Sequence, residues 1–349
     1  MPEYKQKIYN QTIDILRIIS ILAVVYIHTT TRTLEATSFD LQKYPWTLLL
    51  NQTARFGVPL FFMISGFVLE LNYPFHISYF AYLKKRLSKI LIPYVFWSFI
   101  YFVFVYKQHS QDFLTALITG SASYQLYFIP TLFIFYIIFP FIHRYYKIIT
   151  HKLMLLVLGL VQFGLLYYDY SVHPLPFFYP LSITLLNFYI FILGIFASHH
   201  ERKLMTIIEK WKNFLSVITI ILIGYIFFEG QNGYLKTHNY LAFYSQWRPS
   251  VLFYTITLGG LLYYFLNKNV IYSSVIKMFA RLSFVVFFIH VIVLEAVWAL
   301  IGKTIFLTIH TSFIQQVWFD PLFFACTVTL SFLLAFVIQK IPILRKVSG

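Results

Sequence analysis

The sequence predicts an all-α polytopic membrane protein with about ten transmembrane helices and both termini in the cytoplasm. Three observations carry that expectation. The 349 residues are 59% hydrophobic and only 11% charged, whereas a soluble domain would carry roughly a quarter charged residues. Apolar runs close to the length that crosses a bilayer as a helix recur from end to end. The basic residues are unevenly divided among the segments between those runs, as a multi-pass chain requires.

Spans are expected near 13–31, 48–71, 89–106, 124–142, 153–168, 181–198, 213–229, 248–266, 282–301 and 319–339. Nineteen of the Lys and Arg residues then fall on the side shared by the termini, among them Lys5, Lys7, Lys84, Arg202 and Arg345. Six fall on the other side: Arg32, Lys43, Lys107, Lys236, Arg248 and Lys303. The richer side is the cytoplasmic one. The same asymmetry accounts for most of the formal net charge of +15, so no nucleic-acid partner is expected. The first run contains charge, lacks a small-residue cleavage site and is followed by more spans, so it reads as a helix rather than a cleaved leader. The longest outer segment lies near 230–247. Residues 1–349 are therefore expected to form a single integral-membrane domain without a soluble extracytoplasmic domain, with any chemistry among the helices or at their mouths. Cys326 is the sole cysteine and cannot form an internal disulfide. There is no zinc-ligand spacing, phosphate-binding loop, dinucleotide fingerprint or internal repeat, and no metal is expected.

The first span holds Asp14, Arg17 and His28. Ionisable residues inside a membrane helix are expensive and mark function by default. Eleven residues separate Arg17 from His28, which places them within about 20° of one helix face and about 16 Å apart along its axis. Asp14 and Arg17, at i and i+3, either neutralise each other or leave the guanidinium fork for a phosphate or carbonyl. The second span carries Arg55 beside Gly57 and Pro59, which loosen the helix, and broken helices at depth face protein or a wet cavity. Ser65 and Gly66 in the same span suit close helix packing. Lys85, Arg86 and Lys89 bracket the cytoplasmic start of the third span, where they suit anionic lipid headgroups or a phosphorylated ligand. Tyr127 opens the fourth span in the segment Tyr-Phe-Ile-Pro, and His290 lies within the ninth, with Glu295 five residues on.

Taken in order, these segments resemble the acyltransferase-3 membrane family, which includes bacterial polysaccharide and peptidoglycan O-acyltransferases. The resemblance covers nearly the whole chain. Its most specific part is an arginine followed after ten residues by a histidine in the first helix, met by Arg17 and His28. Supporting matches are Phe-Gly-Val-Pro-Leu-Phe-Phe-Met-Ile-Ser-Gly-Phe at 56–67, the basic cluster leading to Pro93-Tyr94, Tyr-Phe-Ile-Pro at 127–130, Phe-Ile-Leu-Gly at 191–194, and the late segment from Ser283 to His290. The chain departs from the family in having Tyr127 where a tryptophan is usual, and a single Arg86 flanked by lysines where more arginines are usual.

The resemblance implies an enzyme of the bacterial cytoplasmic membrane that moves an acyl group, expected to be acetyl, from cytoplasmic acyl-CoA to a sugar hydroxyl of a cell-surface glycan or lipid-linked sugar. No bound cofactor is implied; acyl-CoA is a substrate, and membrane lipids are the remaining partners. On that footing Arg17 binds donor phosphate or the acyl carbonyl. His28 is the general base for the acceptor hydroxyl, and Arg86 with Lys85 and Lys89 grips the CoA phosphates. Asp14, Arg55, Ser65, Tyr127 and His290 are supporting candidates. The rival from another class is an exporter of a surface polysaccharide such as poly-N-acetylglucosamine, because the adhesion-polysaccharide membrane component shares this layout.

Overall fold

In a computed structural model of the chain, which describes residues 10–73, 77–107, 111–268, 273–309 and 311–347, the protein is a helical bundle with no strand among those residues. Lys5 and Lys7 lie outside the described residues. The principal helices are α1 (Gln11–Ala36), α2 (Pro45–Thr53), α3 (Gly57–Leu71), α4 (Tyr79–Ile100), α5 (Phe128–Arg144), α6 (Lys152–Ser171), α7 (Tyr179–Thr237), α8 (Pro249–Lys268), α9 (Ser274–Val297) and α10 (Asp320–Lys340). Eight helical segments are long and apolar enough to cross a membrane, and α5 is a shorter apolar helix. The protein is a multi-pass membrane protein.

α1 contains neither glycine nor proline and runs unbroken, with the Asn10 side chain accepting from the Ile13 amide at its start. Arg17 and His28 therefore keep the axial spacing of an ideal helix. The second span is broken at Ala54–Phe56, and Pro59 falls in the first turn of α3. A proline is tolerated there because its missing N–H would have no helical partner.

α7 is 59 residues long, about three bilayer cores at 1.5 Å per residue. It cannot be one crossing. The backbone leaves helical geometry at His200 (φ −119°, ψ 20°). The Tyr179 ring lies 6.1 Å from Tyr127 and 6.5 Å from Trp247. Gly230, on the far arm, faces Phe243 and Arg248 at the same end. The helix thus doubles back at His200, and its two arms with α5 restore the expected ten passes. One expectation needs correcting: Arg202–Lys212 is not a loop between spans. Its sequence lacks glycine and proline and is rich in helix formers, so it extends the second arm.

The tightest helix crossing is between α3 and the first arm of α7. A Cβ added at Gly66 would stand 2.2 Å from the Phe191 carbonyl oxygen, and one at Gly194 would stand 2.0 Å from that of Met63. Only glycine allows this backbone approach. Around it, Phe62, Phe135, Phe139, Ile190, Phe191 and Phe288 form a buried aromatic and aliphatic core. α6 lies outside, buried only at Gln162 and Leu166.

The two ends of the bundle differ. One end, the basic end, carries Lys84–Lys89, the His200 turn and the Lys268–Glu209 pair (2.5 Å). Asn10 joins it through Tyr263, whose hydroxyl reaches Glu201. At the far end Asp320 accepts from Thr33 (2.7 Å) and Thr47 (2.6 Å), tying α1 and α2 to the start of α10. The last long helix therefore runs back toward the end where the first began.

Candidate functional site

Two polar clusters stand at opposite ends of α1. At the basic end Arg17 pairs with Asp14 at 3.0 Å and remains about one-third exposed. A single carboxylate contact leaves most of the guanidinium donors for another partner. The buried phenol of Tyr136 on α5 lies within electrostatic range of both Arg17 and Arg86, so these two arginines of α1 and α4 belong to one region of the bundle. The Arg86 guanidinium sits 5.8 Å from the Tyr82 ring. The Tyr82 hydroxyl is buried without a hydrogen-bond partner among the described residues. Lys85 and Lys89 on α4 are exposed.

Just beyond this region lies a cluster that the sequence did not suggest. Glu70, at the end of α3 and buried, accepts from His143 Nδ1 (3.0 Å) at the end of α5 and from His199 Nε2 (2.7 Å) at the α7 turn. Tyr73 packs on His143 (4.4 Å) and Tyr146 stacks on His199 (4.3 Å). The available signal was an acidic residue inside an apolar run. Its partners lie 73 and 129 residues away and cannot be paired from spacing.

At the far end His28 stacks on His290 (5.3 Å between centroids, 26° between planes) and touches Tyr124 (4.6 Å). Among the described residues His28 is held by ring contacts alone. His290 is buried, and its Nδ1 lies 3.0 and 2.9 Å from the carbonyl oxygens of Val286 and Phe287. Carbonyls only accept, so Nδ1 carries the proton and Nε2 is a bare acceptor. That Nε2 has no partner among the described residues. Glu295 does not complete a relay with His290: it lies 3.6 Å from Arg32.

Arg55 occupies the joint between α2 and α3, almost fully buried. It donates to the Tyr244 carbonyl (2.6 Å) and to Asn51 Oδ1, and lies within electrostatic range of His28 and Tyr127. The hydroxyl of Tyr127 accepts from Gln246, and its ring meets Trp247 at 5.7 Å. Arg248 is fully buried against Glu229 (3.2 Å) and Gln52. Ser65, by contrast, spends its hydroxyl on the Phe61 carbonyl one turn back (2.8 Å) and joins neither cluster. The structure thus groups Arg17 with Arg86, and His28 with His290, Arg55 and Tyr127. Arg248, Gln246, Trp247 and Tyr124 were missed because they lie in segments that spacing alone makes look like topology anchors and interface aromatics.

Chemically, the basic end offers guanidinium and phenol donors suited to phosphate. The far end offers an imidazole pair able to take a proton, beside a buried cation. No group of three or more His, Cys, Asp or Glu residues able to hold a metal occurs among the described residues.

Over 284 residues the chain is 25% identical to a probable poly-beta-1,6-N-acetyl-D-glucosamine export protein of Staphylococcus aureus (strain Mu50), covering 76% of this chain and 75% of that protein. It is also 25% identical over 266 residues to the protein of the same name from Staphylococcus epidermidis, covering 70% and 69%. No solved structure matches. The profile of the acyltransferase domain Acyl_transf_3 matches residues 10–339, nearly the full length, and the chain belongs to this acyltransferase-3 family.

Proposed function

We propose that the protein is a membrane O-acyltransferase that moves an acyl group, most simply acetyl, from cytoplasmic acyl-CoA to a sugar hydroxyl of a surface glycan or lipid-linked sugar. The observation that carries this reading is the placement, on one unbroken helix, of Arg17 beside Arg86 at the basic end and of His28 beside His290 at the far end. Positive-inside bias orients the basic end toward the cytoplasm of a bacterial cell membrane.

The donor's phosphates sit on Arg86 and Arg17, while the exposed Lys85 and Lys89 raise its local concentration by long-range attraction. Its thioester arm enters along the α1 stripe. At the far end His28 takes the proton from the sugar hydroxyl as that oxygen attacks the thioester carbonyl. The carbon–sulfur bond breaks, the sulfur acquires a proton, and ester and thiol are the products. His290, with its proton fixed on Nδ1, stays neutral beside His28 and lets the pair carry the one proton in transit.

The names of the staphylococcal relatives favour a second reading, export of poly-N-acetylglucosamine. An exporter needs no donor site. Binding of acetyl-CoA by purified protein, together with mass analysis of surface glycans with and without the gene, separates the two. Saturable binding and loss of O-acetyl groups support the enzyme. Absence of binding with an unchanged acetyl content of the surface glycan overturns it.

A further inference from the structure

The far end of the bundle has an excess of buried hydrogen-bond donors. Arg55 is 3% exposed, and it has no carboxylate partner among the described residues. Two of its nitrogens are used by the Tyr244 carbonyl and Asn51, but Nε is buried without a partner among the described residues. Arg248, within electrostatic range, is just as buried, and Glu229 answers its charge. The two guanidinium groups together therefore face one carboxylate. In the segment whose Tyr244 carbonyl Arg55 meets, Trp247 Nε1 is also a buried donor without a partner among the described residues. A guanidinium removed from water is strongly disfavoured unless an anion or a full set of acceptors meets it. An arginine needed only to pin the helix break would be expected to have both.

We propose that Arg55, with the Trp247 donor of the adjoining segment, forms an anion subsite beside His28 that takes a tetrahedral oxyanion. Two sources share this chemistry. One is the carbonyl oxygen that becomes negative when a hydroxyl attacks the thioester; the other is a resident phosphate of a lipid-linked acceptor. The first source rests on the acyltransferase reading above; the anion subsite itself does not. Preorganised donors of this kind act where charge develops, and removing one commonly lowers kcat by about 10²–10³.

The test uses the purified full-length protein and the variants Arg55→Gln and Arg55→Lys. Melting temperature is measured with inorganic phosphate against chloride at constant ionic strength. Acetyl transfer from acetyl-CoA is measured in vesicles containing an acceptor glycan. Phosphate is expected to stabilise the wild type more than Arg55→Gln. Arg55→Gln should melt within a few degrees of the wild type, because the charge it removes had no partner. A kcat loss of about 10²–10³ with unchanged KM identifies the reaction oxyanion as the occupant, whereas a raised KM with near-normal kcat identifies a resident phosphate. Arg55→Lys keeps the charge but loses Nε, and falls between.

If the wild type transfers no acetyl group yet shows Arg55-dependent stabilisation by phosphate, the acyltransferase reading fails and the subsite stands. Turnover by Arg55→Gln within twofold of wild type, with an equal phosphate response, overturns the subsite. A large loss of melting temperature in Arg55→Gln with no Arg55-dependent phosphate response also overturns it and makes Arg55 a structural pin.

Discussion

Replacing His28 by glutamine should separate chemistry from architecture. His28 makes no hydrogen bond among the described residues and is held by the rings of Tyr124 and His290. Losing two such ring contacts, each about 0.5–1.5 kcal/mol, predicts a stability loss of about 1–3 kcal/mol. Glutamine fills much of the space and retains hydrogen-bonding capacity, which holds the loss toward the lower figure. It cannot accept a proton. A positioned general base contributes about 10²–10⁴ in rate, or roughly 3–5 kcal/mol of barrier at 1.36 kcal/mol per decade. Acetyl transfer from labelled acetyl-CoA in vesicles should therefore fall by that factor. Affinity for CoA should not change, because Arg17 lies about 16 Å away along α1 and Arg86 belongs to the same end of the bundle. His28→Ala should be as inactive and somewhat less stable. Near-normal transfer by His28→Gln would refute the assignment and make His290, with its unpartnered Nε2, the group to test next.

Arg86→Ala should weaken CoA binding in calorimetry more than it lowers the melting temperature, and raised salt should shrink the difference, because half-exposed phosphate contacts are screened. Gly194→Ala should destabilise by about 3 kcal/mol, the upper end for overpacking, because its Cβ would stand 2.0 Å from the Met63 carbonyl oxygen; thermal melting in detergent reads this directly. Glu70→Gln should cost about 2 kcal/mol by the same assay, since one side-chain oxygen replaces the carboxylate that serves both His143 and His199. A cysteine at position 236, in a Cys326→Ser background, should react with an impermeant maleimide from outside the cell; labelling only from the cytoplasm would reverse the orientation.

The passes, the unbroken first helix and the break beside Arg55 were legible because each follows from local chemistry. Apolar length sets a span, the absence of glycine and proline keeps α1 straight, and Pro59 ends one helix and starts the next. The shared face of Arg17 and His28 was legible for the same reason, since helical periodicity alone fixes it. Pairings between distant helices were not. His290 was noticed as a buried histidine, but its stack on His28 depends on how α1 and α9 cross. Glu70, His143 and His199 each sit near a helix end, and only the bundle brings them together. That Arg86 lies over the Tyr82 ring while Lys85 and Lys89 are exposed depends on packing that no spacing rule contains. A reversal between the spans expected at 181–198 and 213–229 was legible, but its tight form at His200 was not, because it uses no glycine, no proline and no loop.

The distance between Arg17 and His28 also decides whether turnover is felt by the membrane voltage. In the proposed reaction the hydroxyl loses its proton at one end of α1, and the sulfur that gains one returns to the other. If the histidine pair hands its proton back to the sulfur, no charge crosses the bilayer and the rate ignores the potential. If the pair releases that proton into the outer water and the thiolate takes another from the basic end, one elementary charge moves outward each cycle. An inside-negative potential then opposes the reaction by about 2.3 kcal/mol for each 100 mV. Rates of acetyl transfer in vesicles clamped at different potassium gradients would show which path the proton takes: a flat response means a carried proton, and a graded one means the enzyme works against the cell's own voltage.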